Sequence, residues 1–247
     1  MNQMHNLWFQ IFRIRATITY MEKNAENIKK IAAMIDHTNL NPCATKADIE
    51  KLCDEAKKYG FASVCVNPSY VPLAAEKLSG SEVKVCTVVG FPLGASSIDD
   101  KASQAGLLVY DGAREVDMVV NLGLVKDGEW DDVFEEIYAV RCAVNDVDIP
   151  GDPKIIVKVI LETCYLSDDE IVKCCEAAEK AGADFVKTST GFAILKGADG
   201  KLAYGYFGAP YPNAFLIRVY LRSSASKNYE KFFNSSINSF RADVGRK

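Results

Sequence analysis

The stretch Ala181–Phe192 reads A-G-A-D-F-V-K-T-S-T-G-F. A short apolar run followed by hydroxyl residues and a glycine is typical of a strand that ends in a turn. The unusual member is Lys187, because a buried ammonium is unfavourable unless it is paired or loses its proton. Lys187 therefore either extends to water with its aliphatic stem buried, or has a lowered pKa and attacks carbonyl carbons as a neutral amine.

Working outward from this stretch, short apolar segments alternate with helical patterns along the chain. Regular strand–helix alternation favours a parallel sheet, and polar residues at the strand ends favour a barrel. The sequence contains neither a G-x-G-x-x-G nor a G-x-x-x-x-G-K motif, so a dinucleotide-binding or NTPase fold has no support. We predict an α/β fold, a TIM-type (β/α)8 barrel of which only six β/α units are recognisable. The predicted strands are 31–35, 61–66, 83–89, 115–121, 154–161 and 184–188.

The chain divides into three predicted parts. Residues 1–24 carry arginines and no acid before Met21, which is typical of a transit peptide or of a start codon placed too far upstream, and we expect them to be disordered or not native. Residues 25–198 form the barrel domain. Residues 199–247 are a basic tail without clear strand–helix units, in place of strands seven and eight. A frameshift, a gene-model error or a degenerated gene would each account for this tail.

Composition excludes several classes of function. The 247 residues have a net charge of −4, which gives no reason to expect nucleic acid or a membrane as partner. Eight cysteines without a C-x-x-C pair indicate reduced thiols and a cytoplasmic protein. The only histidines are His5 and His37, which argues against a Ser-His-Asp hydrolase and a histidine-rich zinc site.

Polar residues collect where the predicted strands end, the place where barrel enzymes hold their catalytic groups. Alternation puts Asp117 on the face of Val119 and Asn121, opposite Val116, Met118 and Val120. The other residues at these ends are Asp36, Cys65, Asn67, Lys158, Glu162, Lys187, Thr188 and Thr190.

Two interpretations of the buried charges remain open at this point. Lys158 could form a structural ion pair with Asp117 or Glu162. Alternatively, Lys158 and Lys187 lie close enough to depress each other's pKa, which would leave Lys187 partly neutral. An aspartate between them could then relay protons to and from a carbinolamine or enamine, as in Schiff-base catalysis.

At these residues the chain resembles the class I deoxyribose-phosphate aldolase family. The resemblance covers roughly residues 31–197 and is most specific in its last motif and in E-V-D-M-V-V-N. The matching motifs are I-D-H-T-N-L (35–40), V-C-V-N-P (64–68), V-V-G-F-P-L-G (88–94), E-V-D-M-V-V-N (115–121), K-V-I-L-E-T (158–163) and D-F-V-K-T-S-T-G-F (184–192).

The resemblance implies reversible cleavage of 2-deoxy-D-ribose 5-phosphate to D-glyceraldehyde 3-phosphate and acetaldehyde, in deoxyribonucleotide and carbohydrate catabolism. It implies that Lys187 is the Schiff-base lysine, that Asp117 is the proton relay and that Lys158 tunes the pKa of Lys187. It also implies no metal and no organic cofactor. The expected partners are a small sugar phosphate and an aldehyde, and a homodimer or higher homo-oligomer is a separate expectation. The implied substrate-binding residues are Asp36, Cys65, Thr188, Thr190 and Gly191.

The chain departs from the family in its last fifty residues. The family's second essential lysine lies in a K-x-S-G-G-I-like segment, with phosphate-binding loops after strands seven and eight, and no such segment occurs here. Lys201 lies in G-A-D-G-K-L-A-Y and is not assigned this role. The alternatives are therefore a truncated or frame-shifted pseudoenzyme and another class I aldolase on the same barrel.

Overall fold

The computed structural model describes residues 26–151, 154–196, 202–205, 216–217 and 219–220. The predicted N-terminal extension, residues 1–24, lies outside these residues, as does most of the predicted tail.

The described elements alternate between strand and helix from residue 26 to residue 187. The helices are α1 (residues 26–32), α2 (Lys46–Tyr59), α3 (Val71–Leu78), α4 (Ile98–Tyr110), α5 (Leu122–Asp127), α6 (Trp130–Asn145) and α7 (Asp168–Lys180). The strands are β1 (Ile35–Asn39), β2 (Ser63–Val66), β3 (Lys84–Val89), β4 (Glu115–Val119), β5 (Ile156–Ile160), β6 (Phe185–Lys187), β7 (Ala193–Lys196), β8 (Leu202–Gly205), β9 (Leu216–Ile217) and β10 (Val219–Tyr220).

Strands β1 to β6 form a parallel sheet in sequential order. Parallel neighbours joined by helices are the β/α units of a barrel, so the predicted fold class with six recognisable units is confirmed. The register places Cys65 beside Cys86 and Asp117 beside Lys158. Side chains far apart in sequence therefore meet on the inner face.

Both edges of this parallel sheet are paired by one short piece of the tail. Ile217 of β9 pairs with Ile35 of β1, and Val219 of β10 pairs with Val186 of β6, both antiparallel. A regular (β/α)8 barrel would instead supply two parallel strands here. The tail thus pairs with two residues at each edge of the sheet, in the opposite chain direction.

Strands β7 and β8 form a separate antiparallel hairpin. Ala193 pairs with Gly205 and Lys196 with Leu202, so the hairpin spans the predicted domain boundary at residue 198. The division into domains stays a prediction.

The two faces of β4 differ as the alternation predicted. Val116, Met118 and Val120 belong to the main apolar cluster under the helices. Asp117 points the other way, into the barrel, and is fully buried there. The inner face also holds a small apolar cluster, made of Leu40, Cys65, Cys86 and Val88.

All six predicted strands differ from the observed limits, and the differences at β1 and β4 affect how their polar residues are assigned. The first strand was expected at 31–35, but residues 31–32 are helical and Ile31 is exposed, whereas β1 begins at Ile35. Its inward side carries Asp36, so β1 is too polar to be recognised by its hydrophobicity. Asn121 lies past β4, where its side chain accepts from the backbone N–H groups of Gly123 and Leu124 and caps the unpredicted helix α5.

A buried ion pair holds the carboxyl end of β4 against the helices. Nζ of Lys101 in α4 lies 2.5 Å from Oε2 of Glu136 in α6 and donates to the carbonyl of Val119. The other carboxylate oxygen of Glu136 accepts from the N–H of Asn121 at 2.7 Å. These contacts fix the end of β4, two residues beyond Asp117. Within the part of the chain that the structure describes, no helix is long and apolar enough to cross a bilayer.

Candidate active site

Charged and polar side chains fill the centre of the inner face. They come from all six parallel strands, because each strand turns alternate residues inward. Each of them is 2% exposed or less: Asp36, Ser63, Cys65, Cys86, Glu115, Asp117, Lys158 and Lys187.

Lys158 is the centre of this cluster. Its Nζ lies 2.8 Å from Oδ1 of Asp117, 2.9 Å from Oε2 of Glu115 and 3.0 Å from Oδ2 of Asp36. The thiol of Cys86 is 3.3 Å away. A buried ammonium with three carboxylates around it is well compensated, which explains how β5 tolerates a lysine.

Lys187 approaches the same carboxylates from β6. Its Nζ donates to Oδ2 of Asp117 and lies 3.7 Å from Oδ2 of Asp36. Asp117 therefore holds Lys158 with one oxygen and Lys187 with the other. The predicted position of an aspartate between the two lysines is confirmed.

The charges in the cluster do not cancel, since three carboxylates face two ammonium groups. Burial is the largest influence on the pKa of Lys187 and lowers it, but the attractions of the neighbouring acidic groups, Asp117 first, together outweigh burial and raise that pKa above its ordinary value. Burial raises the pKa of Asp117, and the attraction of Lys158 and Lys187 reverses this, so its pKa is lowered. The expected lowering of the Lys187 pKa is wrong for this structure, because the Asp117 carboxylate is in direct contact with the Lys187 ammonium.

The structural ion pair considered for Lys158 is present, but only with one of its two expected partners. Lys158 contacts Asp117, whereas Glu162 turns towards the loop after β6 and accepts from Thr190. An ion pair on Asp117 does not conflict with catalysis, because it fixes the carboxylate that contacts Lys187.

Cys65, Cys86 and Asp117 are the described residues grouped closely enough to hold a metal ion. The surroundings do not favour one. Burial raises the pKa of the Cys86 thiol well above its usual range, and the thiol donates to Asp117 at 3.3 Å. Only a thiolate is a good metal ligand, and the Lys158 ammonium already supplies the cation for these groups.

The predicted substrate-binding residues fall into two places. Asp36 and Cys65 lie in the buried cluster, whereas the loop after β6 holds Thr188, which is exposed, and Thr190, which is buried. Gly191 follows with a φ of +81°, and a Cβ built on it would meet no described atom within 4 Å. Open space beside a glycine backbone suits a bound anion.

Three members of the cluster, Ser63, Cys86 and Glu115, were not predicted from the sequence. Ser63 donates to Oδ1 of Asp36 at 2.7 Å, and Glu115 and Cys86 contact Lys158. Glu115 could have been predicted, because it lies two residues before Asp117 and must share its face of the strand. No sequence feature marks Ser63 or Cys86 as site residues, since small residues in strands are ordinary core residues.

The fold and this cluster define the class: a (β/α) barrel with a buried lysine–carboxylate site on its inner face. The chain belongs to the DeoC/LacD aldolase family, whose model matches residues 30–237. The predictions of a deoxyribose-phosphate aldolase relationship and of a carbon–carbon lyase are thereby confirmed. The match extends beyond residue 197, where the recognisable motifs ended.

Several relatives of this chain are named deoxyribose-phosphate aldolase. The chain is 58% identical over 172 residues to the deoxyribose-phosphate aldolase of Caldanaerobacter subterraneus, covering 70% of this chain and 72% of that protein. It is 58% identical over 163 residues to that of Carboxydothermus hydrogenoformans, covering 66% and 70%. Among solved structures, the tetrameric deoxyribose phosphate aldolase of Aeropyrum pernix has a TM-score of 0.58 and 34% identity, covering 66% of this chain and 65% of its own.

Proposed function

We propose that the protein is a deoxyribose-phosphate aldolase that cleaves 2-deoxy-D-ribose 5-phosphate reversibly to D-glyceraldehyde 3-phosphate and acetaldehyde. The observation that carries the proposal is the buried contact between the Lys187 ammonium and the Asp117 carboxylate on the inner face of the barrel. Relatives of this name at 58% identity support the choice of substrate.

The first step forms the imine. Lys187 is protonated at rest, so its proton must leave before Nζ can attack C1 of the open-chain sugar, and Asp117 is the adjacent acceptor. The attack gives a carbinolamine. Asp117 then returns the proton to the carbinolamine oxygen, water leaves, and a protonated imine remains on Lys187.

The second step breaks the C2–C3 bond. A base removes the proton of the C3 hydroxyl, the electrons of the C2–C3 bond move towards the protonated imine, and D-glyceraldehyde 3-phosphate leaves. The remaining enamine takes a proton at C2. Water then hydrolyses the imine to acetaldehyde and free Lys187, and Asp117 again lies within reach of these transfers.

Lys158 serves the reaction by holding Asp117 and lowering its proton affinity. Its Nζ binds the Asp117 oxygen that faces away from Lys187, so the other oxygen stays directed at the reacting nitrogen. The same contact favours the ionised form of Asp117 and so returns the relay to its proton-accepting state after each transfer.

The assembly and the location of the protein belong to the same proposal. We infer a homo-oligomer, by analogy with the tetrameric relative from Aeropyrum pernix. We infer the cytoplasm, because all eight cysteines are free thiols.

The comparisons do not support the alternative of a non-catalytic remnant. Another class I aldolase remains the runner-up in chemistry, because Lys187 and Asp117 would serve any small aldehyde donor. The family's second lysine stays unassigned, since Lys201 lies outside the described residues.

Borohydride trapping tests the proposal directly. The intact chain is incubated with acetaldehyde, reduced with borohydride and mapped by peptide mass spectrometry. We expect an ethylated Lys187, and ethylation confined to exposed lysines such as Lys51 would refute the assignment. Assaying 2-deoxyribose 5-phosphate against other phosphorylated aldols separates the proposed enzyme from the runner-up aldolase.

A further inference from the structure

Glu162 has an unusual backbone conformation immediately after β5. Its φ is +51° and its ψ +60°, and within the described ranges it is the one non-glycine residue with a positive φ. This left-handed conformation is unfavourable for a side chain with a Cβ. The residue is also charged and 2% exposed. A strained, buried carboxylate beside a catalytic strand calls for a functional reason.

The conformation aims the Glu162 carboxylate at the loop that follows Lys187. Oε2 accepts a hydrogen bond from the backbone N–H of Thr190 at 3.0 Å and a second one from the Thr190 hydroxyl. The Thr190 hydroxyl oxygen in turn accepts from the N–H of Phe192 at 3.0 Å. These bonds enclose Gly191, whose left-handed backbone completes the turn.

Backbone contacts extend this attachment to both sides of Thr190. The N–H of Leu161 donates to the carbonyl of Lys187 at 2.9 Å, and the N–H of Thr163 donates to the carbonyl of Thr188 at 2.8 Å. Beyond the turn, the Tyr165 hydroxyl lies 2.7 Å from the N–H of Ile194. The segment after β5 therefore holds the segment after β6 from the Schiff-base lysine onward.

We propose that Glu162 is a positioning residue that shapes the Thr190–Gly191 turn to receive the substrate phosphate. The proposal rests on the proposed function. Thr190 directs both its N–H and its hydroxyl at Glu162, so it supports the turn rather than donating to the phosphate. The phosphate is then met by the backbone at Gly191, where open space allows close approach.

The two Thr190 donors also explain how a carboxylate is tolerated near an anion site. They neutralise part of its charge and hold it on the inner side of the turn. The imine chemistry at Lys187 is served by a different carboxylate, that of Asp117. Loss of Glu162 should therefore weaken phosphate recognition and leave imine formation intact.

Binding of glycerol 3-phosphate tests the proposed role of Glu162 separately from imine formation, because this ligand carries the phosphate and has no carbonyl group. Titration calorimetry on the full chain should give a dissociation constant about tenfold higher for Glu162→Gln than for the unmodified protein, the effect of one charge-assisted hydrogen bond. Glu162→Gly should weaken binding equally while relieving the left-handed strain. Glu176→Gln, an exposed acid on α7, is the matched control and should leave the constant unchanged.

Acetaldehyde trapping at Lys187 runs in parallel and should be the same in all these variants. Unchanged affinity in Glu162→Gly would show that the carboxylate is not needed, and equal loss of trapping and affinity would show a general structural role. Either result overturns the proposal, as does a wild-type chain that does not bind glycerol 3-phosphate. A chain that binds it through Glu162 but gives no adduct at Lys187 would support this inference and refute the proposed function.

Discussion

Asp117 and Lys187 are joined by a buried hydrogen bond although a whole strand, β5, lies between theirs. Both side chains point into the barrel, where the curvature of the sheet brings alternate strands together. The contact raises the pKa of Lys187 and lowers the pKa of Asp117. The site thus holds the Lys187 ammonium in an ion pair with the Asp117 carboxylate.

Replacing the amine should abolish the reaction. Lys187→Met keeps the length of the side chain but removes the nucleophile, so we expect neither turnover nor a borohydride adduct at position 187. Lys51→Met, at an exposed position on α2, is the control and should react as the parent does. Near-normal turnover in Lys187→Met would disprove the Schiff-base assignment.

Replacing the relay should separate turnover from imine formation. Asp117→Asn should lower kcat about 10²–10⁴-fold, because each proton transfer loses its acceptor. It also removes the main opposite charge at Lys187, so burial then lowers the lysine's pKa. Trapping by acetaldehyde should therefore extend to lower pH in Asp117→Asn than in the parent. An unchanged pH profile of trapping would contradict the electrostatic argument, and the exposed Asp148→Asn serves as control.

Removing the central ammonium should destabilise the fold. Lys158→Met leaves three buried carboxylates facing one lysine, and breaking such a cluster costs about 3–5 kcal/mol of unfolding free energy. Urea denaturation measures the loss. Adding Glu115→Gln should restore part of it, since one uncompensated charge is removed. Lys154→Met, at an exposed ion pair with Asp184, should cost less than about 1 kcal/mol.

The same ion pairs should limit stability at both ends of the pH scale. Because the pKa of Asp117 is lowered, its stabilising contribution is complete above the ordinary value of 3.8 and is lost as pH falls through the folded-state pKa. Because the pKa of Lys187 is raised, its contribution is complete below 10.5 and is lost as pH rises through the folded-state pKa. The difference in unfolding free energy between the parent and Asp117→Asn should therefore shrink as pH falls below 3.8. It should also shrink as pH rises towards 10.5, because Lys187 in the variant lacks the Asp117 charge and loses its proton at lower pH than in the parent. A difference that changes at neither end of the pH scale would contradict this.

The loop after β3 depends on one glycine. Gly94 has a φ of +70°, and a Cβ there would lie 2.1 Å from the carbonyl oxygen of Val120. Gly94→Ala must therefore displace the end of β4, and we expect it to cost several times the ~1 kcal/mol of the left-handed conformation alone. Gly80→Ala is the matched control, with a φ of +73° and no described atom within 4 Å of a Cβ. Equal thermal stability of the two variants would refute the close-approach argument.

The sequence by itself determined the order of the six parallel strands and the face on which the key residues lie. Alternation on β4 correctly separated Asp117 from Met118, and Thr45 and Ser167 cap the helices α2 and α7 with their own side chains. These features are local, because side-chain period and capping are set by neighbours a few residues away. The same alternation did not identify β1, because its inward-facing Asp36 interrupts the apolar pattern.

Only the tertiary structure decided whether Lys187 is charged and which residues make up the site. Lys158 meets Asp36 across 122 residues of sequence, and Glu162 reaches Thr190 across 28. The direction of a pKa shift depends on which charges are nearest in space. Two lysines near the same strand ends suggested that Lys187 is a neutral amine, whereas the contact with Asp117 favours the charged ammonium. The antiparallel pairing of the tail with both sheet edges was likewise decided by the tertiary structure, since the unpaired edges of β1 and β6 exist only once the sheet has formed.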